Sequence, residues 1–170
     1  TSKTHVSSMS GNDFYTNERS VTISSNQMGK ARIEFINRDG ETVTLKDGVV
    51  LSAGAVVDAT FMSIKALREF LEIEIDDAKQ QNILFSLHLK ATMMKVSDPI
   101  IFGHAVKAFY KDAFAKHGAL FDQLGVDANN GIGDAYEKIK SLPADQQAAV
   151  RADLDACFAS GPDMAMVDSD

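Results

Sequence analysis

HLKATMMKVSDP, residues 88–99, is where the chain changes character, and the fold turns on how it is read. Taken with the residues that lead into it, ILFSLHLK (83–90), it opens on a clean alternation. Ile83, Phe85, Leu87 and Leu89 point one way, and Leu84, Ser86, His88 and Lys90 point the other. A period of two with one apolar face and one more polar face is a half-buried β-strand. At Ser97-Asp98-Pro99 the period changes. Asp98 is placed to cap a helix with Pro99 at its first position, where a missing N–H costs nothing, and Phe102, Val106, Phe109 and Ala113 recur at the spacing of a buried helical stripe. A strand that hands over to a helix is the repeating unit of an α/β fold. It also puts Lys90 at the strand's carboxyl end, where in open α/β sheets ligands bind, although the alternation alone equally describes a strand-end lysine that reaches water.

On either side of this stretch, residues 1–62 read mostly as strands and loops, and residues 63–170 mostly as helices with the one strand at about 83–90. The first 19 residues are polar and loop-rich. SVTIS (20–24) and ARIEFI (31–36) alternate, NRDG (37–40) carries an Asp-Gly turn signal, and ETVTL (41–45) follows, which predicts antiparallel hairpins. GAVVDATFM (54–62) adds another strand. Ser63 then offers an N-cap, and Ile64, Leu67, Leu71, Ile75 and Ala78 share one helical face. Downstream, DANNGIGD (127–134) interrupts a helical stretch, and Ser141 with Pro143 opens a last helix that ends before Gly161-Pro162. MAMV (164–167) reads as an incoming strand. The expected class is α/β: a mixed sheet with antiparallel hairpins in the N-terminal part and flanking helices. The opening on Thr1 and the apolar run just before Asp170 suggest an incomplete piece of a longer chain.

A chain of 170 residues with 45% apolar and 24% charged residues has the composition of an ordinary folded domain. Its formal charge of −7 argues against nucleic acid or an anionic membrane as partner, since both need a basic face. The lone Cys157 excludes an intrachain disulfide and any multi-cysteine metal site, and a reducing, cytoplasmic setting fits it. No window approaches the roughly 18 uninterrupted apolar residues that span a bilayer.

Several motifs dissolve on inspection. GIG (131–133) lacks the third glycine of a dinucleotide loop and does not follow a strand. In the stretch from Asp127, glycine falls one position too early for a calcium loop, and Lys138 stands where the bidentate acid is needed. His5, His88, His104 and His117 show no metal-ligand spacing, which leaves surface or capping roles. Lys95 does not form a ready clamp with Lys90, because five residues on a helix separate the two by about 140°. Met93 and Met94 are core filler on composition alone.

Three blocks together resemble one family. HLKATMMKVSDP (88–99), THVSSMSGNDFYTNERSVTI (4–23) and NNGIGDAYEKIKSLP (129–143) are similar to the monomeric type of NADP-dependent isocitrate dehydrogenase, over essentially the whole chain. The resemblance implies an internal segment of that family's large, inserted domain, with an isocitrate/isopropylmalate dehydrogenase-like fold. It implies a parent that acts as a monomer in the tricarboxylic acid cycle or glyoxylate bypass, oxidises isocitrate with NADP and Mg2+ or Mn2+, and then decarboxylates the product to 2-oxoglutarate. Within it, Lys90 takes the place of the catalytic lysine, with Met93, Met94 and Lys95 in matching positions. The tyrosine acid, the metal-holding aspartates, the carboxylate-gripping arginines and the NADP contacts belong by the same resemblance to parts of the family chain outside this segment. Tyr15, Tyr110 and Tyr136 receive none of those roles.

The chemistry explains why a lysine there needs help. Oxidation of the hydroxyl requires that its proton leave as hydride leaves, and a side chain or an intervening water must take it. With an ordinary pKa of about 10.4, roughly one lysine in 2,500 is neutral at pH 7. Substrate carboxylates favour the ammonium further, while burial and a bound divalent cation oppose it. The other class of reading is a non-catalytic α/β module whose Lys90 and Lys95 line an anion-binding or partner-binding surface.

Overall fold

The computed structural model describes residues 2–89 and 96–168, and groups them into two compact units: Gly11–Met62, and residues up to Ser10 together with Ser63 onward.

The smaller unit is built from two antiparallel strand pairs. β1 (Arg19–Thr22) pairs with β4 (Val56–Ala59), and β2 (Gly29–Ile36) pairs with β3 (Thr42–Leu51). The β2–β3 hairpin is closed by the turn predicted at 37–40. Asn37 Oδ1 accepts from the N–H groups of Asp39 and Glu41, and Gly40 takes the positive φ of 82° that the turn requires. Two points depart from the sequence reading. β1 finds its partner in β4, beyond the inner hairpin. β3 continues to Leu51, past the Leu45 where the simple alternation stops. The register slips between Ala31 and Glu34, so extra residues of β3 bulge out, and Gly48 at a φ of 69° absorbs Asp47-Gly48 into the strand.

In the larger unit, α1 (Ile64–Gln81) starts where Ser63 Oγ accepts from the Ala66 N–H at 3.3 Å, and stops where Asn82 turns left-handed. Leu67, Leu71, Ile75 and Ala78 are buried as their spacing demands, whereas Ile64 is half exposed. β5 (Phe85–Leu89) keeps the alternation. Phe85, Leu87 and Leu89 pack against the core, while Leu84, Ser86 and His88 are exposed. β6 (Met164–Asp168) runs parallel to it, from Phe85↔Met164 to Leu89↔Asp168. Between the two strands lie α2 (Ser97–Phe109), α3 (Lys111–Leu124), a 3-10 turn at Ala128–Asn130, α4 (Ile132–Lys138), a second 3-10 turn at Ile139–Ser141, and α5 (Ala144–Ser160). The architecture is mixed α/β with small antiparallel sheets and helices.

The stripe predicted across residues 102–113 is buried throughout, but it belongs to two helices. Tyr110, only 2% exposed, ends α2 and begins α3. α2 also starts earlier than expected. Its cap position is Val96 with no side-chain bond, so Asp98 lies inside the first turn, where its charge favours the helix start and its carboxylate accepts from Ser97 Oγ at 3.1 Å. Pro99 falls third and still costs no hydrogen bond, because first-turn N–H groups have no intrahelical acceptor. Among the described residues no helix is long and apolar enough to cross a membrane.

Core density is visible at Gly103 on α2. A Cβ there would drive into the Asn129 side-chain oxygen and lie 3.0 Å from the Asn129 backbone nitrogen, so the 3-10 turn seats directly on the helix. Gly118 in α3 has open space instead. Gly103→Ala is therefore expected to destabilise the fold by about 1–3 kcal/mol through overpacking. Gly118→Ala is expected to stabilise it by about 0.4–1 kcal/mol. Urea midpoints of the two variants should move in opposite directions from the parent.

Candidate functional site

β5 ends at Leu89, with its last parallel pairing to Asp168, and Lys90 is the next residue of the chain. Lys90 and its companions Met93, Met94 and Lys95 fall outside the described residues. What the structure supplies is the frame. An amphipathic strand has its inner face fixed on the core by Phe85, Leu87 and Leu89, and α2 begins within eight residues of its end. A register set by burial leaves no freedom to slip by one residue, since that would turn the whole apolar face to water.

Each motif set aside in sequence has a structural occupation. Asp127 Oδ1 accepts from the Asn129 N–H at 2.9 Å and caps the 3-10 turn, and Asp134 Oδ2 accepts from the Asp127 N–H at 2.7 Å. Lys138 sits 2.9 Å from Asp134 and also reaches the Gly125 carbonyl. Burial pushes the Asp134 carboxyl up, but the Asp127 N–H and the Lys138 ammonium together hold it below the usual carboxylate range. The GIG glycines flank the start of the seven-residue α4, preceded by the 3-10 turn and not by a strand. Neither stretch has the geometry of a dinucleotide or calcium loop. Cys157 is buried in the core.

Tyr136 and Tyr110 are held within the larger unit, whereas Tyr15 is exposed. The Tyr136 hydroxyl donates to Asp155 Oδ1 at 2.8 Å, and burial followed by that carboxylate drives its pKa far above the ordinary phenol value. Tyr110 is likewise raised, first by burial.

Among the histidines, His88 is exposed on β5, and His117 Nε2 lies 2.6 Å from Asp153 Oδ2, which Lys116 also approaches at 2.7 Å. His104 on α2 joins that helix to α1, its Nδ1 accepting from Arg68 Nε at 3.3 Å. A ring nitrogen that accepts must be unprotonated. Burial, then the charges of Arg68 and Lys107, lower the His104 pKa from its ordinary 6.5.

One grouping was not legible in the sequence. His5, Glu74 and Asp77 bring three ligand atoms within 4.8 Å of one another, beside a cleft of about 360 Å³ lined also by Phe70, Leu71 and Ile83–Leu87. The i, i+3 spacing of the two acids on α1 was readable, but His5 lies far off in sequence. The cleft faces the amino-terminal half of β5. Magnesium and manganese prefer all-oxygen sites, and this cluster includes an imidazole. The cluster therefore fits neither of those ions well.

Comparison with known proteins gives a consistent picture. The family model described as monomeric isocitrate dehydrogenase matches residues 1–170. The chain is 56% identical over 169 residues to isocitrate dehydrogenase [NADP] 2 of Colwellia maris. It is 52% identical over 168 residues to the protein of that name from Mycobacterium tuberculosis, and 49% identical over 169 residues to isocitrate dehydrogenase [NADP] of Azotobacter vinelandii. Each match covers 99% of this chain but only 22% of the relative's length.

His104 supplies a pH test of the frame. Its folded pKa is depressed, so the unfolded chain binds more protons. Its contribution is fully present above the unfolded value of 6.5 and is lost as pH falls below that towards the folded value. Between about pH 7.5 and 5.5 the thermal midpoint should fall less in His104→Gln than in the parent protein, as read by circular dichroism.

Proposed function

Because the chain belongs to the monomeric isocitrate dehydrogenase family, we propose that the longer protein carrying it is an NADP-dependent oxidoreductase that converts isocitrate to 2-oxoglutarate and carbon dioxide, and that this segment contributes the catalytic lysine, Lys90. The reading places the segment inside the large domain of an isocitrate/isopropylmalate dehydrogenase-like fold, in a monomeric, cytoplasmic enzyme. One observation supports the assignment to Lys90 most directly: it is the first residue after a parallel strand whose inner face is locked onto the core.

In this reaction NADP accepts the hydride, and the segment's own part is the proton. As the hydroxyl carbon gives up hydride, the neutral Lys90 amine takes the hydroxyl proton, directly or through one water, and a ketone forms. The resulting ammonium then faces the negative charge that develops when carbon dioxide leaves, and stabilises the enolate. A rigid strand end suits both tasks, because a proton acceptor acts only within about 3 Å of the group it serves.

Lys90→Met in the full-length protein keeps an unbranched apolar stem of similar length and removes the amine. Turnover should fall by about a hundredfold to ten-thousandfold with the thermal midpoint little changed. Turnover close to that of the parent, in a folded variant, would remove Lys90 from the mechanism.

A further inference from the structure

We propose that His5, Glu74 and Asp77 form a site for a divalent transition ion of the zinc type, separate from the ion used in the isocitrate reaction. The position of one proton is decisive. His5 Nδ1 lies 3.0 Å from the Lys3 carbonyl oxygen, and a carbonyl can only accept, so Nδ1 carries the hydrogen. In the neutral ring Nε2 then presents a bare lone pair, and 3.5 Å in front of it stands Asp77 Oδ2. A lone pair facing a carboxylate is repulsive unless something positive lies between them. Only a second proton on the ring or a bound cation can fill that role.

The surroundings favour a cation. A ligating histidine characteristically gives its other N–H to a backbone carbonyl, as His5 does, and a ligating carboxylate is itself held by an outer hydrogen bond. Gln81 Nε2 supplies that bond to Asp77, at 2.8 Å and 2.7 Å from its two oxygens. Glu74, one turn before Asp77 on the same face of α1, forms no hydrogen bond or ion pair among the described residues and completes the donor set. The segment that delivers His5 is tied down by the Lys3 ammonium, which donates to the Gln81 carbonyl at 3.1 Å. For metal–ligand bonds of about 2.0–2.1 Å, the edge of a tetrahedron is about 3.3 Å, close to the observed His5–Asp77 separation. Three protein ligands would leave a fourth coordination position facing the cleft. The imidazole selects zinc and its neighbours over magnesium.

The test is zinc uptake by the full-length protein in millimolar magnesium, which occupies all-oxygen sites, with stoichiometry and affinity read by calorimetry. The parent should bind one equivalent of zinc that His5→Ala and Asp77→Asn each lose or bind at least tenfold more weakly. His117→Ala, altered outside the cluster, should retain it. Zinc-free melting curves establish that the variants fold, and His5, on an exposed segment, can be removed without opening the core. Unchanged zinc binding in both cluster variants, or no uptake by the parent, overturns the proposal and leaves His5 and Asp77 as a protonated ion pair.

Discussion

Two parallel strands cannot be joined by a tight turn: the chain must leave the first, travel back along the sheet and enter the second in the same direction. That constraint organises the larger unit. β5 and β6 lie side by side over five residue pairs, and everything from α2 to α5 is the return path between them. The path is also the core. Phe102, Val106 and Phe109 from α2, Ala113 and Phe121 from α3, Ala135 and Ile139 from the short middle elements, and Val150, Leu154 and Cys157 from α5 form one buried cluster against which Phe85, Leu87 and Leu89 rest. Pairing and packing are thus a single condition, and the strand end that precedes Lys90 is fixed by both.

The polar groups that matter sit around this core and not within it. No charged side chain is buried among the described residues, and each partly buried histidine is held by a named partner, Arg68 for His104 and Asp153 for His117. Each of these contacts is a single pairing made at a helix surface. The same logic acts at His5, where a carbonyl on one side of the ring dictates what the other side can bind.

Much of the fold was legible because local period and burial agree. The alternation of residues 83–89, the α1 face of Leu67, Leu71, Ile75 and Ala78, the Ser63 cap and the turn at 37–40 all depend on neighbours within a few positions. The misreadings share a different cause. No glycine or proline marks the break at Tyr110, because Phe109 and Ala113 keep the helical spacing across it. The alternation of ETVTL stops at Leu45, although β3 runs on through the bulge at Asp47-Gly48 to Leu51. The union of β1 with β4 and of His5 with Glu74 and Asp77 joins residues tens of positions apart, and no local pattern records such pairs.

Residue chemistry and short-range period were enough to set the order and type of the main elements, the apolar face of each helix and strand, and the block around Lys90 that marks the family. Which strands pair, where the long helical stripe divides, and which acids meet which histidines were settled only in three dimensions. Those outcomes are set by the packing of distant segments against one core, where the free energy of contact depends on shape and separation in space and not on position along the chain.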